Sequence, residues 1–151
     1  TFENVQWEAG TIEAVSYDKD KNIISRASLK TVGQPATIRL TTMQAPDGFK
    51  ADGADLALVE VEVVDAEGNR CPLANDLISF RLNGSAEWRG GIAQGPDNYI
   101  LSQQLPVECG VNRVFIRSTD KAGTVKLSAT AEGLTPAVLE MKTVPFKQKN
   151  G

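Results

Sequence analysis

Alternation between apolar and polar residues is what most limits the folds open to this chain. In the run LALVEVEVVD, Val59, Val61 and Val63 alternate with Glu60 and Glu62, so a strand here can send valines into a core and keep carboxylates in water. Ala51-Asp52-Gly53 leads into the run, and Asp65 to Asn69 supplies the turn that closes it. A second segment repeats the arrangement. Ala122-Gly123 leads in, Val125, Leu127, Ala129 and Ala131 alternate with Lys126, Ser128, Thr130 and Glu132, and Gly133 ends the run. The same parity predicts that Ile78, Phe80, Leu82, Val114, Ile116, Leu139 and Met141 point inward with the valines. A slip of one residue would turn each set outward, so the pattern fixes register as well as strand identity.

No segment holds an apolar 3.6-residue period for three turns, so helix is expected to be scarce. Strands are predicted at 4–8, 11–17, 22–29, 35–42, 56–65, 77–83, 98–105, 111–118, 123–131 and 137–144. Turn signals separate them, among them Asp18 to Lys21, Pro46 to Gly48 and Thr119 to Ala122. Short strands so spaced indicate an all-β, antiparallel sandwich. A joint is expected in the Ala-, Gly-, Asp- and Pro-rich stretch MQAPDGFKADGAD, giving residues 1–42 as terminal strands of one unit, 43–147 as the sandwich, and 148–151 as a tail. Three or four strands are thin for an independent fold, so residues 1–42 are expected to lean on the rest of the protein or to associate with themselves.

The 151 residues carry a net charge of −3 and no basic cluster, which argues against nucleic acid, because neutralising phosphates takes several Lys and Arg on one face. No apolar run approaches the roughly 20 residues of a spanning helix, so no membrane insertion is expected. The sequence starts without Met and is expected to be a piece of a longer protein. Histidine is absent, which removes Ser-His-Asp and Cys-His catalysis and imidazole bases. Cys71 and Cys109 are too few and too far apart for a zinc knuckle or a CxxC pair, and are read as two small thiols or, alternatively, a disulfide. No cofactor is expected.

The ordered set ADG, VEVEVVDAEGN, ISFRLNG, GVNRVFIRST and AGTVKLSATAEGL resembles a bacterial immunoglobulin-like domain of the invasin type. It is more similar to the one near the C-terminus of glycoside hydrolase family 2 enzymes such as β-galactosidases. Upstream, Trp7, Gly10, Ile12, Ala14, Thr31, Gly33, Pro35, Ile38 and Leu40 resemble the end of the domain that precedes it in those enzymes. The resemblance implies an immunoglobulin-like sandwich and a non-catalytic role. In such enzymes both catalytic glutamates lie on a separate (β/α)8 barrel, which needs about 250 residues of alternating strand and helix. The partners it implies are the other domains of a parent glycosidase, with carbohydrate as a further candidate. The parent is expected to be exported, periplasmic or at the cell surface. A carbohydrate-binding module and an adhesin-type stalk domain are the alternatives.

Candidate residues follow from the chemistry available. A glycosidase needs two carboxylates roughly 5–9.5 Å apart across a cleft; Glu60 and Glu62 share one strand face, but alternation already explains them, and no catalytic residue is assigned. Asp18-Lys-Asp20-Lys-Asn22 opens like a calcium loop, yet Ile23 and Leu29 stand where Gly and Glu are required, so a hairpin tip is expected. Asp47, Asp52 and Asp55 are weak calcium candidates beside their turn-forming role. Trp7, Trp88 and Tyr99 could stack on a sugar ring. Trp88, Arg89 and Tyr99 flank the stretch from Trp88 to Asn98, read as a mobile loop suited to sugar or interdomain contact, the alternative for Trp88 being packing between sheets or at a domain joint. Trp7 is expected in a core. Arg113 and Arg117 share a strand face, either solvated or contacting a neighbouring domain.

Overall fold

The computed structural model describes residues 6, 8–92, 97 and 99–147, and these form eleven β-strands and no helix. The chain divides into two compact units, residues 1–32 and 33–151.

The first unit is a hairpin of β1 (Thr11–Tyr17) and β2 (Ile23–Lys30), paired antiparallel with Ile12 opposite Leu29 and Ala14 opposite Ala27. Asp18 builds the turn. Its Oδ1 accepts the backbone N–H groups of Asp20 and Asn22, both at 2.8 Å, and Oδ2 accepts the Asn22 amide at 3.0 Å, so Lys21 is held at a φ of 65°. These bonds favour the ionised carboxylate and lower its pKa. The segment with a calcium-loop opening is thus a self-satisfied hairpin tip. The cross-strand pair Ile12 and Leu29 stays 77% and 80% exposed, as a two-stranded ribbon has no second layer to cover it.

The second unit holds β3 (Thr37–Met43), β4 (Phe49–Ala51), β5 (Leu56–Val64), β6 (Leu77–Gly84), β7 (Ala86–Gly91), β8 (Gln104–Pro106), β9 (Val111–Ser118), β10 (Thr124–Thr130) and β11 (Ala137–Pro145). One sheet runs β4-β11-β10-β6-β8 and the other β3-β5-β9-β7. All pairs are antiparallel except β4 with β11. The core between the sheets is the set that alternation predicts. Val59, Val61, Val63, Ile78, Phe80, Val114, Ile116, Val125, Leu127 and Met141 are buried, with Leu82 and Leu139 packed on their margin. Phe49, Leu105 and Val107 join them.

Three features differ from the sequence reading. The compact unit starts at Gly33 rather than near residue 43, because β3 pairs with β5 from Thr37 opposite Val64 to Met43 opposite Leu58. The strand predicted at 98–105 shrinks to β8, preceded by a turn in which the Ser102 N–H donates to the Tyr99 carbonyl at 2.9 Å. The stretch read as a loop from Trp88 begins as β7, whose pairing with β9 shifts between Trp88 and Gly91. That bulge explains the error: a Cβ on Gly91 would lie 2.6 Å from Leu105 Cδ1 and 2.8 Å from the Arg113 carbonyl oxygen, so the glycine marks close packing and not loop freedom. Most of the strand predicted at 4–8, Trp7, part of the stretch after Ile92, and the tail 148–151 lie outside the described residues.

Candidate functional site

Trp88 sits on the core-facing side of β7, opposite Ile116. Its ring stacks on Phe80 with centroids 5.2 Å apart and planes at 29°, and its indole N–H donates to the Ser102 carbonyl at 3.0 Å. The half-buried side chain therefore ties β7 to the 99–102 turn, and packing accounts for it. Tyr99 is also half-buried against the core. Its hydroxyl donates to Asp97 at 3.1 Å, and burial followed by that bond raises its pKa. The exposed aromatics among the described residues are Tyr17 and Phe146, one in each unit.

The three aspartates weighed for calcium are each engaged. Asp47 pairs with Lys50, which lowers the carboxyl and raises the ammonium pKa. Asp52 accepts the N–H groups of Ala54 at 2.9 Å and Asp55 at 2.7 Å, and Asp55 accepts that of Lys50 at 2.7 Å. Among the described residues no group of three or more Cys, Asp or Glu could hold a metal ion. Both cysteines are free, Cys71 buried and Cys109 exposed, and burial raises the Cys71 pKa.

Arg113 and Arg117 lie on the outward face of the β3-β5-β9-β7 sheet and form part of a cross-strand lattice. Arg39 binds Glu62 at 2.8 Å, Arg113 binds Glu60 at 2.9 Å, and Arg117 binds Glu87. These pairs leave Glu60 and Glu62 bound to different guanidiniums. Between the charges runs an apolar row, Met43 opposite Leu58 and Leu58 opposite Phe115. Leu56, 51% exposed, extends it beside Arg117. Arg89 is exposed in the bulge that opposes Phe115. Sequence reasoning missed the row, although parity signalled it: Leu56 and Leu58 share a face with Glu60 and Glu62, so that face is amphipathic.

A cleft of about 220 Å³ opens at the end of β9, lined by Arg70, Ile92, Pro106, Glu108, Val111, Asn112 and Arg113. Among the described residues that line it, Glu108 is the one carboxylate. The Asn112 amide is already spent on the Pro106 carbonyl and the Arg113 N–H. A single carboxylate cannot supply both the acid and the nucleophile or base of glycoside hydrolysis.

Residues 38–140 match the family model for glycoside hydrolase family 2 C-terminal domain 5. The chain is similar to a beta-glucuronidase of Formosa agariphila, 41% identical over 150 residues, which is 99% of this chain and 15% of the relative. It is also similar to the beta-galactosidase BoGH2A of Bacteroides ovatus, 36% identical over 146 residues, or 91% of this chain and 16% of that protein. Among solved structures, a beta-glucuronidase from glycoside hydrolase family 2 aligns with a TM-score of 0.90 at 40% identity, over 99% of this chain and 16% of that one. A family 2 member from Bacteroides cellulosilyticus aligns at 0.83 and 27% identity, over 93% and 18%. The chain thus spans about one-sixth of the length of these relatives.

Proposed function

The chain belongs to the glycoside hydrolase family 2 C-terminal domain 5 family, and from that premise we propose that it is a non-catalytic accessory β-sandwich of a larger glycosidase. The parent hydrolyses β-glycosidic bonds, with β-galactosides and β-glucuronides as the substrate classes that the relatives' names bring. The observation that carries this reading is the 41% identity along 99% of the chain to only 15% of a named glycosidase. The geometry is in keeping with it. Glu60 and Glu62 are held by separate arginines on an open sheet face, and among the described residues the cleft at β9 offers one carboxylate.

The two units divide the accessory role. Residues 33–147 form the sandwich, while the hairpin before Gly33 supplies terminal strands to a preceding β-domain, whose layer would cover Ile12 and Leu29. The test is turnover by the full-length protein that carries this chain, on 4-nitrophenyl β-galactoside and 4-nitrophenyl β-glucuronide. Hydrolysis of one of them is expected, and hydrolysis of neither would overturn the assignment of the parent.

A further inference from the structure

We propose that the outward face of the β3-β5-β9-β7 sheet is the surface on which this sandwich docks against another domain of its own polypeptide. The occupant meets the apolar row Met43, Leu58 and Phe115 with apolar side chains and places a carboxylate against Arg89. The inference rests on the reading of the chain as one domain of a larger glycosidase.

The two outward faces of the sandwich are chemically unlike. On the β4-β11-β10-β6-β8 sheet two rows are polar, Glu140, Lys126 and Asn83 in register and Thr130, Ser79 and Gln104 in register, and the apolar side chains are dispersed: Val138 opposite Ser128, Leu77 opposite Pro106 and Val144 opposite Lys50. Among the described residues no apolar row crosses three strands on that outward face. On the other sheet Met43, Leu58 and Phe115 are consecutive across three strands and Leu56 adjoins them, so their exposed parts form one patch. The Arg113–Glu60 and Arg117–Glu87 pairs flank it, with Arg39–Glu62 one row farther out, so the charges beside the patch are already paired. Arg89, at the bulge beside Phe115, has no ion-pair partner among the described residues and is exposed. An apolar centre with a polar frame is the anatomy of a protein interface.

Size selects the occupant. Of the four side chains only Met43 and Leu56 are exposed, at 41% and 51%, with Leu58 and Phe115 half-buried, which falls well short of the roughly 800 Å² per partner in a stable association of separate molecules. A second copy of the chain is therefore a poor match. A domain on the same polypeptide needs no such area, because a tether raises its effective concentration to about the millimolar range. The relatives, of which this chain covers 15% and 16%, carry ample further polypeptide to provide it.

The test is hydroxyl-radical footprinting of the 151-residue chain and of the full-length protein, read at Met43, Leu58 and Phe115, with Leu77 on the opposite sheet as the reference. Oxidation of the three is expected to be at least fivefold slower in the full-length protein, with Leu77 changed by less than twofold. In the full-length protein Met43→Asp is expected to restore fast oxidation at Phe115, while circular dichroism of the isolated variant stays that of the parent chain. Equal rates at Met43 and Phe115 in both proteins would overturn the proposal. So would protection that appears in the isolated chain as its concentration rises, which would assign the face to a second copy. Protection without any glycosidase activity in the full-length protein would instead overturn the catalytic reading of the parent and leave the docking face standing.

Discussion

At Asp65 one carboxylate organises a whole corner of the sandwich. Only 4% exposed, it accepts the N–H of Gly33 at 2.8 Å, of Glu67 at 3.0 Å and of Asn69 at 2.8 Å, and the Asn69 amide as well. Backbone donors that favour the charged form, led by Gly33, lower its pKa to about 2. Since the unfolded value is about 3.9, the folded state gains stability that is fully present above about pH 4 and is lost as pH falls toward 2. The urea midpoint should drop across that window, and Asp65→Asn should flatten the drop; a wild-type midpoint unchanged from pH 5 to 2 would refute it. Sequence reading saw Asp65 only as a turn former, because its bond to Gly33 spans 32 positions and leaves no local signal. Trp88 shows the same blind spot. Flanked by glycines it resembled a platform on a loop, whereas its partners Phe80 and Ser102 come from elsewhere in the fold. Trp88→Ala should therefore cost about 2–3 kcal/mol in chemical denaturation, less than the roughly 3–5 kcal/mol of a fully buried aromatic; an unchanged midpoint would return Trp88 to the surface.

Elements with strong alternation were legible to within a residue or two, as β5, β9, β10 and β11 show, because one buried face leaves little freedom of register. The three-residue strands β4 and β8 were not, being too short to display a period. Strand β7 was hidden by Gly90, which holds a φ of 81°, and by Gly91, whose role is steric. Gly84 at the end of β6 makes the sharpest demand of this kind. It holds a φ of 102°, and a Cβ there would lie 2.0 Å from the Thr124 carbonyl oxygen of β10. Gly84→Ala must both strain the backbone and push β6 away from β10, and is expected to destabilise by about 2 kcal/mol or more. Denaturant unfolding checks this, and a loss below about 0.5 kcal/mol would mean that the two strands are not so closely apposed.

For the molecule as a whole, the division at Gly33 predicts unequal fates for its units. A chain starting at Gly33 keeps both sheets and the full hydrophobic core, so it should unfold in one cooperative transition, whereas a two-stranded hairpin alone is marginal. Loss of that transition on deleting residues 1–32 would contradict the division. The fold class and the inward residues could be read from sequence because they depend on local period. The docking face was only half legible: parity puts Leu56 and Leu58 on the outward side of β5, but the row with Met43 and Phe115 exists only once β3, β5 and β9 lie side by side. Above both stands the claim that this sandwich does no chemistry itself and that hydrolysis belongs to the rest of a family 2 glycosidase. The most direct test is the rate at which the purified 151-residue chain releases nitrophenol from 4-nitrophenyl β-galactoside and β-glucuronide. The account predicts release at the uncatalysed rate on both substrates. Turnover that co-purifies with the chain and scales with its concentration would contradict it.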